Sequence, residues 1–288
     1  MVGSLFTEMR GVFVVNLTPF HSDGSVNVEA YLDHVAWLSE KGVKGLVPLG
    51  TNGEGPSLSL REKLLLLERL FARGLPLQVV PAAMEGSLPA TLEMIRAVND
   101  LPAAGILVLP PYYYKPVTVE GLRRFFEAVL EVSRHPVVLY HVPKYAVPVP
   151  PELVKLPGVW GVKDSGEDTG YTEAVLAFGK GVWVGTEDKI WERIQNTQGV
   201  VSALANFAPE ALVRLWWLKE EGRTEEGQKL ARLLEEIRAR VKAAGTPFAL
   251  KRLAEARHQI PMGGVRPPLV EGGQAPLEVL TLLEEVIP

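Results

Sequence analysis

Apolar, largely β-branched residues come in short runs at 12–17, 43–49, 78–82, 105–109, 136–141, 159–163, 181–185 and 199–204. The runs are near-continuous, without regular alternation, which is the pattern of strands covered on both faces, as in a parallel sheet. Between them the apolar positions change to helical spacing. Leu60, Leu64, Leu67 and Phe71 share one face of a predicted helix that stops before Gly74, and Ser59 with Glu62 has the spacing of a capping box at its start. Similar spacing predicts helices at 28–41, 87–101, 119–133, 173–178, 189–195 and 209–221.

Eight strands thus alternate with seven readable helices, and no Gly-x-Gly-x-x-Gly follows the first strand. This predicts an α/β fold of the (β/α)8 TIM barrel type over a doubly wound sheet, which has fewer strands and a glycine-rich first turn. After Gly222 the strand pattern ceases. Helical patterns at 224–244, 247–257 and 275–286, separated by a Pro and Gly cluster at 261–273, predict a C-terminal helical extension over 223–288 packed on a barrel over 1–222.

Composition narrows the function classes. A chain of 288 residues, 47% hydrophobic, can bury the core of one large α/β unit without staples. Its 30 Lys plus Arg against 34 Asp plus Glu leave a formal charge of -4 and no basic stripe, so neither nucleic acid nor an anionic membrane is an expected partner. The absence of Cys excludes disulfides, thiol nucleophiles and Cys-ligated metals. The five His residues lack ligand spacing, so no metal is expected. Residues 1–20 lack a basic segment followed by an apolar one, and no run approaches the ~20 apolar residues of a membrane span, so the expected location is cytoplasmic.

In a TIM barrel the reacting groups stand at the carboxyl ends of the strands and on the loops that follow. That position selects Thr51, Asn52 and Glu54 after the second strand, Tyr112, Tyr113 and Tyr114 after the fourth, Tyr140 and His141 in the fifth, Lys163 in the sixth and Asn206 after the eighth. Strand parity puts Gly161 and Lys163 on one face and Trp160 and Val162 on the other. If the bulky pair faces the helices, Lys163 faces the lumen, where desolvation disfavours its ammonium form and Gly161 leaves space beside it. Asp164 then points away. Such an amine can attack a carbonyl and form a Schiff base; the alternative is a strand that ends at Val162 and a solvated Lys163. Tyr140 shares a face with Val138 and is either a proton shuttle near the barrel top or a core tyrosine. His141, of opposite parity, packs outside the lumen. The turn Gly50-Thr51-Asn52-Gly53-Glu54-Gly55 offers closely spaced N–H groups suited to a carboxylate, the alternative being an ordinary glycine-rich turn.

Six segments in order carry a family resemblance: Leu17-Thr18-Pro19-Phe20, Gly50-Thr51-Asn52-Gly53-Glu54, Pro111-Tyr112-Tyr113, Tyr140-His141-Val142-Pro143, Gly161-Val162-Lys163-Asp164-Ser165, and Gly199-Val200-Val201-Ser202 with Ala205-Asn206. Together, and over essentially the whole chain, they resemble the dihydrodipicolinate synthase and N-acetylneuraminate lyase superfamily of class I aldolases. The resemblance implies Lys163 as Schiff-base lysine, Tyr140 as proton shuttle, and Thr51 as the hydroxyl linking Tyr140 to Tyr113, which in the family often reaches in from a neighbouring subunit. It implies a pyruvate carboxylate held by Thr51 and Asn52, a substrate site that includes Gly50, Val201 and Ser202, no metal or organic cofactor, and a homo-oligomer built as a dimer of dimers.

The second substrate departs from the synthase pattern. Dihydrodipicolinate synthases carry an Arg two residues beyond the strand-five Pro, where this chain has Tyr145 preceded by Lys144. Losing a bidentate guanidinium removes about 1.5–3 kcal/mol of charged hydrogen bonding. The motifs resemble more closely the 4-hydroxy-2-oxoglutarate aldolase branch. The expected reaction is therefore cleavage of a 4-hydroxy-2-oxo acid such as 4-hydroxy-2-oxoglutarate into pyruvate and a small aldehyde, glyoxylate being favoured. The alternatives are synthesis of dihydrodipicolinate precursor from pyruvate and aspartate semialdehyde, a 2-keto-3-deoxy sugar-acid aldolase or dehydratase, and a non-catalytic 2-oxo-acid sensor, which has no need of a proton relay.

Overall fold

This computed structural model describes residues 9–284. Nine parallel strand segments, β1 (Gly11–Val14), β2 (Gly45–Leu46), β3 (Gln78–Val79), β4 (Ala82–Ala83), β5 (Ile106–Val108), β6 (Val137–His141), β7 (Val159–Asp164), β8 (Gly181–Val184) and β9 (Gly199–Ser202), lie in the order 3-2-1-9-8-7-6-5-4. β3 and β4 are two halves of one barrel strand. Pro81 lacks an N–H for the ladder, yet bonds run along both edges of the segment: Val80 N donates to Leu46 O at 2.9 Å on one side, and Leu107 N to Pro81 O at 2.9 Å on the other. The ring closes there, giving the expected eight-stranded barrel.

Helices α1 (Val28–Glu40), α2 (Leu60–Ala72), α3 (Leu88–Val98), α4 (Val119–Val132), α5 (Thr169–Ala177), α6 (Ile190–Ile194) and α7 (Pro209–Glu220) follow the strands, and α8 (Thr224–Ala244), α9 (Phe248–His258) and α10 (Glu278–Glu284) form the C-terminal extension. The capping box of α2 is present, with both the Ser59 side chain and the Glu62 side chain engaged. α5 starts four residues before its apolar spacing becomes readable, because Asp168 caps it by accepting from Gly170 N at 2.9 Å. The predicted last helix ran to 286, which lies outside the described residues.

Apolar side chains form two layers. The outer one, between sheet and helices, contains Val14, Leu46, Leu139 and Val162, and is continuous with Leu230, Leu234, Ile237, Leu250 and Leu253 of the extension. The inner one fills the lumen with Phe13, Val47, Leu107, Val138, Trp160 and Trp183. Here the structure corrects the parity reading: Trp160 faces the lumen, not the helices. The β6–β7 register jumps from Val137 opposite Val159 to Val138 opposite Gly161, so Trp160 is the extra residue of a bulge. It turns inward and stacks on Trp183 at 6.3 Å between ring centroids. Beyond the bulge the parity resumes, with Val162 in the outer layer. Gly161 leaves no open space either; a Cβ there would meet Gly181 O at 2.1 Å, so the glycine permits close strand approach.

Candidate active site

The ladders of the sixth barrel strand fix the heights of its side chains. Tyr140 stands directly opposite Lys163 across β6 and β7, and Lys163 opposite Trp183 across β7 and β8. Lys163 is 3% exposed, and its Nζ lies 3.9 Å from the Tyr140 ring centroid. Beneath it the lumen holds a cavity of ≈ 20 Å³ lined by Phe13, Val47, Leu107, Val138, Trp183 and Val201. That volume admits about one water and leaves no room for a larger molecule on this side of Lys163.

Among the described residues no carboxylate forms an ion pair with Lys163. The nearest in sequence, Asp164, points outward and is fully engaged: Oδ2 accepts from Thr172 Oγ1 at 2.7 Å and Arg193 Nη2 at 2.9 Å, and Oδ1 accepts from Gly166 N at 2.9 Å. Arg193 also donates to Gly166 O at 2.7 Å, tying the loop after β7 to α6. On the next strand Gly185 makes room for the lysine stem, since a Cβ would sit 2.1 Å from Ser165 Oγ and 3.0 Å from Lys163 Cε. Ser165 Oγ donates to Gly185 O at 3.1 Å.

Tyr140 is buried, and burial alone pushes its phenol up. The positive charge of Lys163 and hydrogen bonding from Lys163, Thr51 and Ser165 outweigh burial and hold it below the ordinary tyrosine range. The Thr51 and Ser165 contributions are ones of proximity, because Thr51 Oγ1 is buried without a well-aligned hydrogen bond and the Ser165 hydroxyl donates to Gly185 O. The arrangement is an amine over the ring of a phenol held below its ordinary range, with an unengaged hydroxyl nearby.

The turn after β2 is wound tightly. Gly55 N donates to Gly50 O at 3.1 Å and Glu54 N to Thr51 O at 3.2 Å, while Leu49 and Glu54 adopt left-handed backbone at φ 65 and 54. A Cβ on Gly55 would lie 1.8 Å from Leu49 O, so only glycine closes this turn. The amides of Thr51, Asn52 and Gly53 donate to no acceptor among the described residues, which leaves a cluster of N–H groups of the kind that holds an anion.

The other sequence candidates divide. Val201 lines the cavity with Lys163. Ser202 has opposite parity: its hydroxyl donates to Glu187 Oε1 at 2.6 Å and accepts from Ala205 N at 3.2 Å. Tyr113 is 81% exposed and does not reach Lys163 within one chain; Tyr114 is exposed beside it. His141 stacks on Tyr171 at 3.7 Å and accepts from Val149 N, outside the lumen as expected. Glu54 is consumed by a buried ion pair with Lys251. Asn206 joins β9 to β1 by donating to Val15 O and accepting from Leu17 N. Sequence reasoning missed Gly185 and Arg193; the available signal for Gly185 was a glycine ending the run 181–185, two residues beyond the one opposite Lys163. Among the described residues no three His, Asp or Glu converge on a metal position, and no helix is long and apolar enough to cross a membrane.

The profile of the dihydrodipicolinate synthetase family matches residues 8–281. The chain is 30% identical to a 4-hydroxy-tetrahydrodipicolinate synthase of Corynebacterium diphtheriae, over 95% of this chain and 93% of that one. It is also 30% identical to an uncharacterized DapA-like lyase of Pyrococcus abyssi, over 97% of this chain and 100% of that one. Among solved structures it is similar to a variant of the 2-keto-3-deoxygluconate aldolase of Sulfolobus solfataricus, with a TM-score of 0.87 and 26% identity over 96% of this chain and 95% of that one.

Proposed function

The chain belongs to the dihydrodipicolinate synthetase family of class I aldolases, and on that premise we propose that it cleaves a 4-hydroxy-2-oxo acid, such as 4-hydroxy-2-oxoglutarate, into pyruvate and an aldehyde through an imine on Lys163. The observation that carries this reading is a buried lysine without a carboxylate partner, set 3.9 Å from the ring of a tyrosine whose phenol is held below its ordinary range.

The chemistry follows from that pair. Neutral Nζ attacks the C2 carbonyl of the substrate, and loss of water from the carbinolamine gives the imine. Tyr140, shifting between phenol and phenolate, supplies the proton that leaves with water and then takes the proton of the C4 hydroxyl. The C3–C4 bond breaks, its electron pair moves to C3 as the enamine, and C4 departs as the aldehyde. Protonation at C3 and hydrolysis of the imine release pyruvate and restore Lys163. The free amides of Thr51 and Asn52 hold the substrate carboxylate, with Gly50 and Val201 shaping the wall beside it. Tyr113, exposed here, enters this scheme from a second copy of the chain.

A second reading rests on the similar proteins themselves: condensation of pyruvate with aspartate semialdehyde, or cleavage of a 2-keto-3-deoxy sugar acid. The synthase reading lacks the guanidinium at 145. Lys144 folds its Nζ over the Tyr145 ring at 4.9 Å, and an ammonium is no bidentate substitute.

Pyruvate plus borohydride, followed by mass mapping, is expected to give one irreversible adduct on Lys163. Active protein that yields no adduct would falsify the imine. Pyruvate release from 4-hydroxy-2-oxoglutarate and 2-keto-3-deoxygluconate, run beside condensation with aspartate semialdehyde, ranks the substrates. Pyruvate binding with no turnover of any of them would favour a sensor.

A further inference from the structure

The turn that carries Thr51 and Asn52 is not held by the barrel alone. Three residues after Thr51, Glu54 is 1% exposed and sits in left-handed backbone, a conformation that costs energy for a residue other than glycine and needs outside support. The support comes from the C-terminal extension. Lys251 of α9, 0% exposed, places Nζ 2.6 Å from Glu54 Oε1, donates to Gly264 O at 2.6 Å and lies 4.2 Å over the Phe20 ring. The other carboxylate oxygen accepts from Arg266 N at 3.0 Å. The Arg266 side chain continues the contact, donating to Ser57 O at 2.9 Å and pairing with Glu62, the capping residue of α2.

Stability alone does not account for this pair. Buried ion pairs seldom outperform apolar residues of the same shape, because desolvation of both charges offsets their attraction. Burial holds the Lys251 amine down to about 8 in spite of Glu54, so the charged pair is costly where it stands. The directional bonds around it, from Lys251 to Gly264 O and from Arg266 N to Glu54 Oε2, do what an apolar contact does not: they tie one turn residue to a helix and loop more than 190 positions later in the chain.

We infer that Glu54 and Lys251 are positioning residues that hold the turn after β2 so that the amides of Thr51 and Asn52 face the substrate carboxylate, making the C-terminal extension part of the substrate site without touching substrate. The mention of substrate rests on the function proposed above; the brace itself does not.

The test uses the full-length chain as Glu54→Gln, which keeps the volume, and Lys251→Met. Hydrogen exchange is followed by mass spectrometry over residues 47–58, and the pyruvate concentration for half-maximal borohydride trapping is measured in parallel. In both variants the hydrogen-bonded amides of the turn, at positions 54, 55, 57 and 58, are expected to exchange about tenfold faster, with strands β6–β8 unchanged. Half-saturating pyruvate is expected to rise about tenfold while the limiting trapping rate moves by less than about threefold. Wild-type exchange in the turn overturns the inference, as does faster exchange spread evenly over the whole barrel or an unchanged half-saturation in folded variant. Should Lys251→Met not fold, Glu54→Gln decides alone. Should the wild-type chain trap no pyruvate, the proposed function fails while the exchange pattern still judges the brace.

Discussion

Lys163 and Lys251 are buried almost equally, at 3% and 0% exposure, and each holds its ammonium nitrogen close to an aromatic ring, 3.9 Å from Tyr140 and 4.2 Å from Phe20. Their charges are handled in opposite ways. Lys251 has a carboxylate at 2.6 Å and a carbonyl at 2.6 Å, which offset part of the burial that holds its amine down to about 8 and tie it as a fixed strut. Lys163 has no carboxylate partner among the described residues; its polar neighbour is a phenol. A carboxylate gives up its charge only in acid, so it locks an ammonium, whereas a phenol lies close enough in proton affinity to exchange a proton with an amine. Burial is common to both lysines, and the choice of partner separates a strut from the amine that, on the proposed function, forms the imine.

The sharpest way to break that comparison is to remove the phenolic oxygen and keep the ring. Tyr140→Phe retains the contact beneath Lys163 Nζ but abolishes the shared proton. Turnover is expected to fall by about 10²–10⁴-fold, the usual worth of a positioned acid–base group, while borohydride still traps pyruvate on Lys163 at a reduced rate. Steady-state kinetics with trapping time courses checks both halves. Turnover within about tenfold of wild type would show that the phenol is only part of the core.

A second test concerns the carboxylate that is kept away from Lys163. Asp164 follows it directly and is 0% exposed, neutralised by Arg193 at 2.9 Å. Arg193→Met strips that partner and leaves an uncompensated charge in the outer layer, a change that costs about 3–5 kcal/mol, or roughly 10 °C of melting temperature in a chain of this size. Arg193→Lys should recover part of the loss, since an ammonium reaches Asp164 or Gly166 O but does not bridge both in the fork geometry seen here. Thermal denaturation of the two variants decides. Equal melting for wild type and Arg193→Met would mean that Asp164 takes up a proton or finds another donor, and that its segregation from Lys163 is not enforced by Arg193.

These contrasts were only partly legible beforehand. The barrel was readable because eight apolar runs separated by helical spacing leave few alternatives, and the parity of Lys163 and Tyr140 needs nothing beyond a period of two. The same arithmetic misplaced Trp160, because a bulge inserts one residue without any change in composition to announce it. Glu54 looked like a candidate for chemistry since its loop was the right one; its partner Lys251 sits on an amphipathic helix among other charged residues, and nothing local marks it as buried. Arg193 was hidden for the same reason, as was the absence of space beside Gly161, where the neighbouring strand closes in. Short-range pattern reports which face a side chain takes. Pairing across the fold decides whether its charge is free or spent.

The smallest expected effect tests the paired side of the comparison at a second point of the brace. Ile260 N donates to His258 Nδ1 at 3.1 Å, so His258 carries its proton on Nε2 and donates to His34 Nδ1 at 3.0 Å; His34 Nε2 in turn donates to Asn206 Oδ1 at 2.9 Å. Both rings must be neutral for this chain of bonds to run in one direction. Burial holds His34 down to about 4 and His258 to about 3, from an ordinary 6.5. The sign follows from proton uptake. Below 6.5 the unfolded chain takes up protons that the folded chain refuses, so the stability contributed is complete above about pH 6.5 and is lost as pH falls toward the folded values. For His34 alone the loss by pH 4.5 is about 2–3 kcal/mol, or several degrees of melting temperature. His34→Gln keeps a donor for Asn206 and removes the titration of position 34, leaving that of His258. Its melting temperature should be lower than wild type at pH 7 but decline less steeply between pH 6.5 and 4.5, whereas parallel curves would show that the imidazole pair accepts protons without breaking its bonds and is no part of the brace.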